Sequence, residues 1–149
     1  MMSMNYYFRY ATKEDVDLIF NWANEEEVRR NSFCSEQIKY EDHVIWYERL
    51  LADTTKNCQL ILMEGESPVA QCRLKIIDGC AEVGYSVDCN HRGKGIGSAM
   101  LAMLTTWIKE NRKDVSTIVA RVKPDNEASY KAFMKNGYEE NYRELRLNL

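Results

Sequence analysis

Proline is scarce in this chain, with two residues among 149, and glycine is limited to seven. Proline- or glycine-rich linkers and low-complexity tracts are thereby excluded, and no internal repeat is visible. Histidine occurs only at His43 and His91, neither at ligand spacing to a cysteine, so no metal site is expected. The cysteines (Cys34, Cys58, Cys72, Cys80 and Cys89) are odd in number and include no C-x-x-C pair. They read as thiols of a reducing compartment, which points to the cytoplasm. No apolar run approaches the ~20 residues of a membrane span, and the first ten residues lack the layout of a signal peptide. A strong charge excess is missing too. The net charge of -3 argues against nucleic acid or an anionic membrane as the main partner.

What remains suits one folded domain over residues 1–149, with enough apolar content (45%) to bury a sizeable core. Residues 5–11 form an aromatic-rich strand. Thr12 with Asp15 three residues on makes an approximate capping box for a helix reaching about Asn24. A charged helical piece follows at 25–31. Ser35 is placed to cap a third helix after Gln37, with Ile38, Val44, Ile45, Tyr47, Leu50 and Leu51 as its buried stripe. From residue 57 the period changes to that of strands. Residues 58–64 and 69–77 make a hairpin, and Asp78-Gly79 turns into a third strand at 81–87. Ile96, Met100, Met103, Leu104, Trp107 and Ile108 mark a helix over 96–111. A β-branched strand at 117–122, a helix at 126–136 ended by Gly137, and an alternating strand at 138–147 complete the order. A helix joining strands 81–87 and 117–122 makes them parallel neighbours in a mixed α/β sheet.

Where the few glycines cluster they are informative. Strand 81–87 runs through a polar turn into Arg92-Gly93-Lys94-Gly95-Ile96-Gly97-Ser98 and then straight into a helix. Glycines at every second position let several N–H groups converge, and the helix start adds its own unpaired N–H groups. That combination suits a phosphate or pyrophosphate. A dinucleotide fingerprint fails because its third glycine would fall on Ser98. A P-loop fails because Gly93-Lys94 is followed by Gly95.

The remaining pattern, R-x-x-G-x-G, is similar to the pyrophosphate loop of the GNAT superfamily of acetyl-CoA-dependent N-acetyltransferases. A second motif resembles the same superfamily: Asn126-Glu127-Ala128-Ser129, followed by Gly137-Tyr138. The resemblance covers about residues 5–148. It implies a single-domain α+β fold with a mixed, mostly antiparallel sheet, a splayed central parallel strand pair and flanking helices. It further implies acetyl-CoA as co-substrate. The pantetheine arm would lie against backbone groups of Ser86 and Val87, the pyrophosphate on the amides from Arg92 to Ser98, and Asn126 near the reactive end. A plain N-cap role for Asn126 is compatible with this.

Amine attack on a thioester needs a group to accept the amine's proton. Strand parity nominates Glu82, which shares a small polar face with Gly84 and Ser86. The superfamily's usual proton donor to the thiolate is a tyrosine seven residues after the motif asparagine, but Phe133 stands there. Tyr130, one turn earlier, is the first substitute and Tyr138 the second. Departure without a dedicated acid is the third reading. For the acceptor, Trp22, Asn24, Arg29, His43 and Trp46 form a pattern that resembles the branch acetylating nucleotide-linked amino sugars. It is less similar to the branch acting on N-termini of ribosomal proteins. The expected partner is thus a small-molecule amine, with no nucleic acid and no membrane, and the chain is either a monomer or a homodimer. The opposing reading is a non-catalytic module that binds acetyl-CoA without turning it over.

Overall fold

The computed structural model describes residues 5–149. Five strands form one sheet in the order β1 (Tyr6–Tyr10), β2 (Asn57–Glu64), β3 (Ser67–Ile77), β4 (Cys80–Val87) and β5 (Thr117–Ala120). The first four pair antiparallel, each with its neighbour in sequence, and β4 and β5 are parallel. The last pairing follows from the intervening helix α4 (Ile96–Asn111), which carries the chain back across the sheet. Two tight turns set the meander. Gly65 adopts φ of 60°, while Asp78 and Gly79 both take positive φ, as a two-residue hairpin turn with matching twist requires.

Period-two alternation divides the sheet into two buried faces. Leu60, Leu62, Cys72, Leu74, Ala81 and Val83 point one way, against Ile96, Met100, Leu101 and Leu104 of α4 and Phe133 of α5 (Glu127–Lys135). Ile61 and Met63 point the other way, against Ile19 and Trp22 of α1 (Val16–Ala23) and Tyr47 of α3 (Tyr40–Ala52). The result is a helix–sheet–helix sandwich. A short helix, α2 (Glu26–Asn31), lies between α1 and α3 and buries none of its residues fully. Among the described residues no helix is long and apolar enough to cross a membrane.

Three expectations are corrected. Ser35 caps nothing. The Asn24 side chain accepts from Ile38 N and donates to Ile38 O, which holds that stretch extended and delays α3 to Tyr40. The buried stripe of α3 is His43, Tyr47 and Leu50, so Ile45 is left outside, half exposed. The last strand is absent. Beyond Tyr138 the chain has no regular secondary structure and is exposed, although Leu145, Leu147 and Leu149 keep the alternation. A strand exists only through hydrogen bonds to a partner, and among the described residues none pairs with this stretch.

The Thr12–Asp15 cap has a larger role than helix initiation. Asp15 accepts from Thr12 N at 2.9 Å and from both terminal nitrogens of Arg9 at 2.7 and 2.9 Å. Through it, α1 is fixed to the edge strand β1. The Arg9 guanidinium holds the Asp15 carboxyl below the usual range, against the opposing effect of burial. Its stabilisation is complete above the unfolded-state value of about 3.9 and is lost as pH falls through the lower folded-state value. Asp15→Asn is expected to cost about 2 kcal/mol at pH 7 and to flatten the acid limb below about pH 4, read by urea unfolding at both pH values.

Candidate functional site

Pairing between β4 and β5 stops early. It covers Cys80 to Val83, and β5 ends at Ala120, while β4 stays paired to β3 as far as Val87. Gly84 to Val87 therefore run on with one backbone edge open toward the β5 side. Tyr85 and Val87 face α4 and α5, whereas Glu82, Gly84 and Ser86 face α1, α2 and α3. On that second face Gln59, Gln71 and Ser86 form a chain of side-chain hydrogen bonds, and Ser86 is buried. Glu82 is exposed, in register with Lys75 of β3 and Val119 of β5.

The open edge leads directly to the glycine loop. After a 3-10 turn at Cys89–His91 the backbone passes through Gly93 and Gly95, both at φ 76°, a left-handed geometry that glycine adopts without steric cost. Ile96 is buried and fixes the start of α4. The first intrahelical bond runs from Ala99 N to Gly95 O, so the amides of Ile96, Gly97 and Ser98 lie free at the positive end of a sixteen-residue helix. Gly97 also permits close packing: a Cβ there would stand 3.1 Å from the Tyr85 ring. Such a cradle suits a diphosphate.

The loop's two cations behave differently. Lys94 is exposed. Arg92 turns away from the cradle and binds Glu25 at 2.7 and 3.2 Å and Glu27 at 2.6 Å. This contact, with the hydrogen bond from Arg92 as the main cause, holds the Glu25 carboxyl below its ordinary range. The Arg92 side chain is thus committed to Glu25 and Glu27 at the start of α2.

Trp22 is buried, and its indole N–H donates to Asp88 at 2.8 Å, just after β4. Asp88 also bonds Asn90 N and His91 Nδ1. Burial would raise the Asp88 carboxyl, but these hydrogen bonds together hold it below the usual range. Arg29 donates to the backbone carbonyls of Ala23, Cys34 and Glu36 and to the Ser32 hydroxyl, and so builds the loop after α2. His43 is buried, bonds Val16 O at 2.9 Å and stacks on Tyr47. Burial depresses its pKa. Asn24, Arg29 and His43 are thus committed to backbone carbonyls of the α1–α3 region. Trp46 alone of the five is substantially exposed, at 39%, and its ring lies against Arg73 of β3. A cleft of about 310 Å³ opens between α1, α2 and the end of β4, lined by Leu18, Trp22, Val28, Ser86 and Arg92 among others. A larger hollow of about 490 Å³, between Tyr10, Leu50 and Trp107, touches neither β4 nor the loop.

Across the open edge stands α5. Asn126 Oδ1 accepts from Ser129 N at 3.2 Å and caps the helix, and Ser129 Oγ bonds the Tyr85 hydroxyl at 3.1 Å. Phe133 is buried edge-on against Tyr85 and Tyr138. The Tyr138 hydroxyl is buried without a partner among the described residues, and burial pushes it up to about 12, whereas Tyr130 is half exposed. Tyr85 escaped sequence reasoning because its parity matches core positions. Its one distinguishing sign is an aromatic ring on an otherwise aliphatic strand face.

The family model described as Acetyltransferase (GNAT) domain matches residues 6–139. No curated protein matches. Among solved structures, spermidine N-acetyltransferase from Vibrio cholerae in complex with CoA and spermine superposes with a TM-score of 0.84 at 16% identity, covering 98% of this chain and 89% of that one. Aminoglycoside acetyltransferase AAC(6')-Ib in complex with coenzyme A and kanamycin gives 0.78 at 17%, covering 91% and 85%. RimL, a ribosomal L7/L12 alpha-N-protein acetyltransferase in complex with coenzyme A, gives 0.78 at 17%, covering 92% and 81%. At these identities the likeness is one of fold.

The Asp88 knot is testable without any ligand. Asp88→Ala leaves the buried Trp22 N–H unpaired and should cost about 1–3 kcal/mol. Asp88→Asn keeps an acceptor and should lose less, by equilibrium unfolding with Trp fluorescence.

Proposed function

The chain belongs to the GNAT acetyltransferase family, and from that premise we propose that it transfers the acetyl group of acetyl-CoA to a primary amine, that of a nucleotide-linked amino sugar. The carrying observation is the open edge of Gly84–Val87 running straight into the free amides at the start of α4. An extended pantetheine chain pairs with such an edge as a strand would, and its diphosphate then reaches the cradle. Residues 1–149 act as one catalytic domain in this reading.

The amine lone pair attacks the thioester carbonyl, the C–S bond breaks, and the sulfur leaves as thiolate. Glu82 accepts the amine's proton, directly or through one water, because it is an exposed carboxylate on the sheet face turned away from α4 and α5. Tyr130 and the Tyr85 hydroxyl both stand near the start of α5, and Tyr130 remains the proposed donor to the thiolate. For the acceptor, the exposed ring of Trp46 offers a flat platform suited to a sugar or a base. The ribosomal-type reading has no comparable feature. A non-catalytic binding module would have no use for an exposed glutamate beside the open edge.

Glu82→Gln should lower kcat about 10²–10⁴-fold and remove the acidic limb of the kcat/KM profile, leaving acetyl-CoA affinity unchanged. An unaltered profile would dismiss Glu82 as the base. Asn126 separates two roles. Asn126→Ser keeps a cap, so stability should stay within about 0.5 kcal/mol of the parent. A drop in acetyl-CoA affinity at that preserved stability marks a contact with the cofactor, and unchanged affinity marks a cap alone.

A further inference from the structure

One row across the sheet stands apart. Gln59, Arg73 and Gly84 are in register across β2, β3 and β4, and Arg121 follows β5 one step beyond its last paired residue, Ala120. Parity puts the Arg73 and Arg121 side chains on the face of Glu82. Arg73 is exposed, on the strand face that also carries Glu82. Water reaches the guanidinium while the protein around it depresses its pKa, with the nearby charges of Glu82 and Arg29 acting in opposite senses. Neither arginine forms an ion pair or hydrogen bond with a described residue. Each is held instead by a ring: Arg73 lies 5.1 Å from the centroid of Trp46, and Arg121 lies 4.8 Å from that of Phe33.

A cation–π contact at an exposed site contributes only about 0.5–1 kcal/mol and uses none of the guanidinium's hydrogen-bonding capacity. Such a contact engages the guanidinium face and leaves its N–H edge free. Between the two arginines Gly84 contributes no side chain, and a Cβ built there would meet nothing within 4 Å. At the last paired row, Leu74–Val83–Ala120, neighbouring strands about 4.8 Å apart put the β3 and β5 backbones roughly 10 Å apart, which leaves room for a phosphate between extended arginines one step on. Lys75 and Arg29 add positive charge on the same side.

We propose that Arg73 and Arg121 form a two-sided clamp for a phosphate carried by the acceptor, seated above Gly84, so that the amine acetylated here belongs to a phosphorylated or nucleotide-linked compound. The inference rests on the acetyltransferase reading and adds the contact that selects the acceptor. Trp46 and Phe33 hold the guanidinium planes in position, and the forked N–H groups then meet phosphate oxygens in pairs. Polycationic amines are disfavoured by the same charges.

The test measures kcat/KM at saturating acetyl-CoA for a UDP-linked amino sugar, glucosamine 6-phosphate, glucosamine, spermidine and kanamycin. The two phosphate-bearing amines should exceed glucosamine at least about tenfold, and added salt should narrow the gap. A lead for the UDP-linked compound assigns a diphosphate, and a lead for glucosamine 6-phosphate assigns a monophosphate. Arg73→Met and Arg121→Met should each reduce the preference roughly ten- to a hundredfold, mainly through KM, with thermal melts confirming the fold. Arg73→Lys should recover only part, since it keeps the charge without the fork. Preference for spermidine or kanamycin, or a phosphate preference untouched in both methionine variants, overturns the clamp. Should no amine react, calorimetry of UDP against CoA-saturated protein decides. Heat lost in Arg73→Met supports the clamp, and no heat with the parent overturns it. Failure of acetyl-CoA itself to bind would instead strike the acetyltransferase reading.

Discussion

Backbone hydrogen bonding left incomplete beside the end of β4 governs this molecule. Gly84–Val87 are paired with β3 on one side, but on the other their neighbour β5 ends four residues too soon. Buried amides and carbonyls without partners are expensive, so such an edge persists only where water or a ligand can reach it. The early end of β5 keeps it reachable, because Pro124 and the capped start of α5 redirect the chain. The glycine loop, the free amides of α4 and the exposed Glu82 all take their positions from that one strand.

The walls of the site are held to it by charge and by paired polar groups. Arg92 joins the loop to α2 through Glu25 and Glu27, and Asp88 joins the end of β4 to α1 through Trp22. The two helical pieces that bound the cleft beside β4 are therefore anchored within a few residues of the loop proposed to hold the diphosphate. Arg29 does comparable work inside the α2–α3 connection, where its donors close a loop that would otherwise expose several carbonyls. Side chains that look like ligand contacts in the sequence are in several cases the scaffold that shapes the cleft.

Local pattern carried much of this in advance. The capping pair Thr12–Asp15, the Asp78-Gly79 turn, the six-position stripe of α4 and the parallel β4–β5 pair are all short-range consequences of residue type and spacing. The glycine loop was legible for the same reason. What local pattern could not supply was partnership over long sequence distance. The alternation after Tyr138 signals a strand but cannot provide a neighbour. The role of Arg92 depended on a carboxylate 67 residues away, and that of Trp22 on one 66 residues away. Arg73 and Arg121 carry no local signal, since only sheet register brings Arg73 opposite Gly84 and Arg121 one step past the last pair of β4 and β5.

The shortness of β5 has a second effect, on colloidal behaviour. As the terminal strand of the sheet it presents an unsatisfied ladder to solvent, the geometry on which chains stack into fibres. Four residues are too few to template a long cross-β contact, and Arg121, Lys123 and Pro124 follow at once. Positive charge and a missing amide donor are the devices by which natural sheets discourage such stacking. The truncation that exposes the groove thus also limits the danger of carrying an open flank.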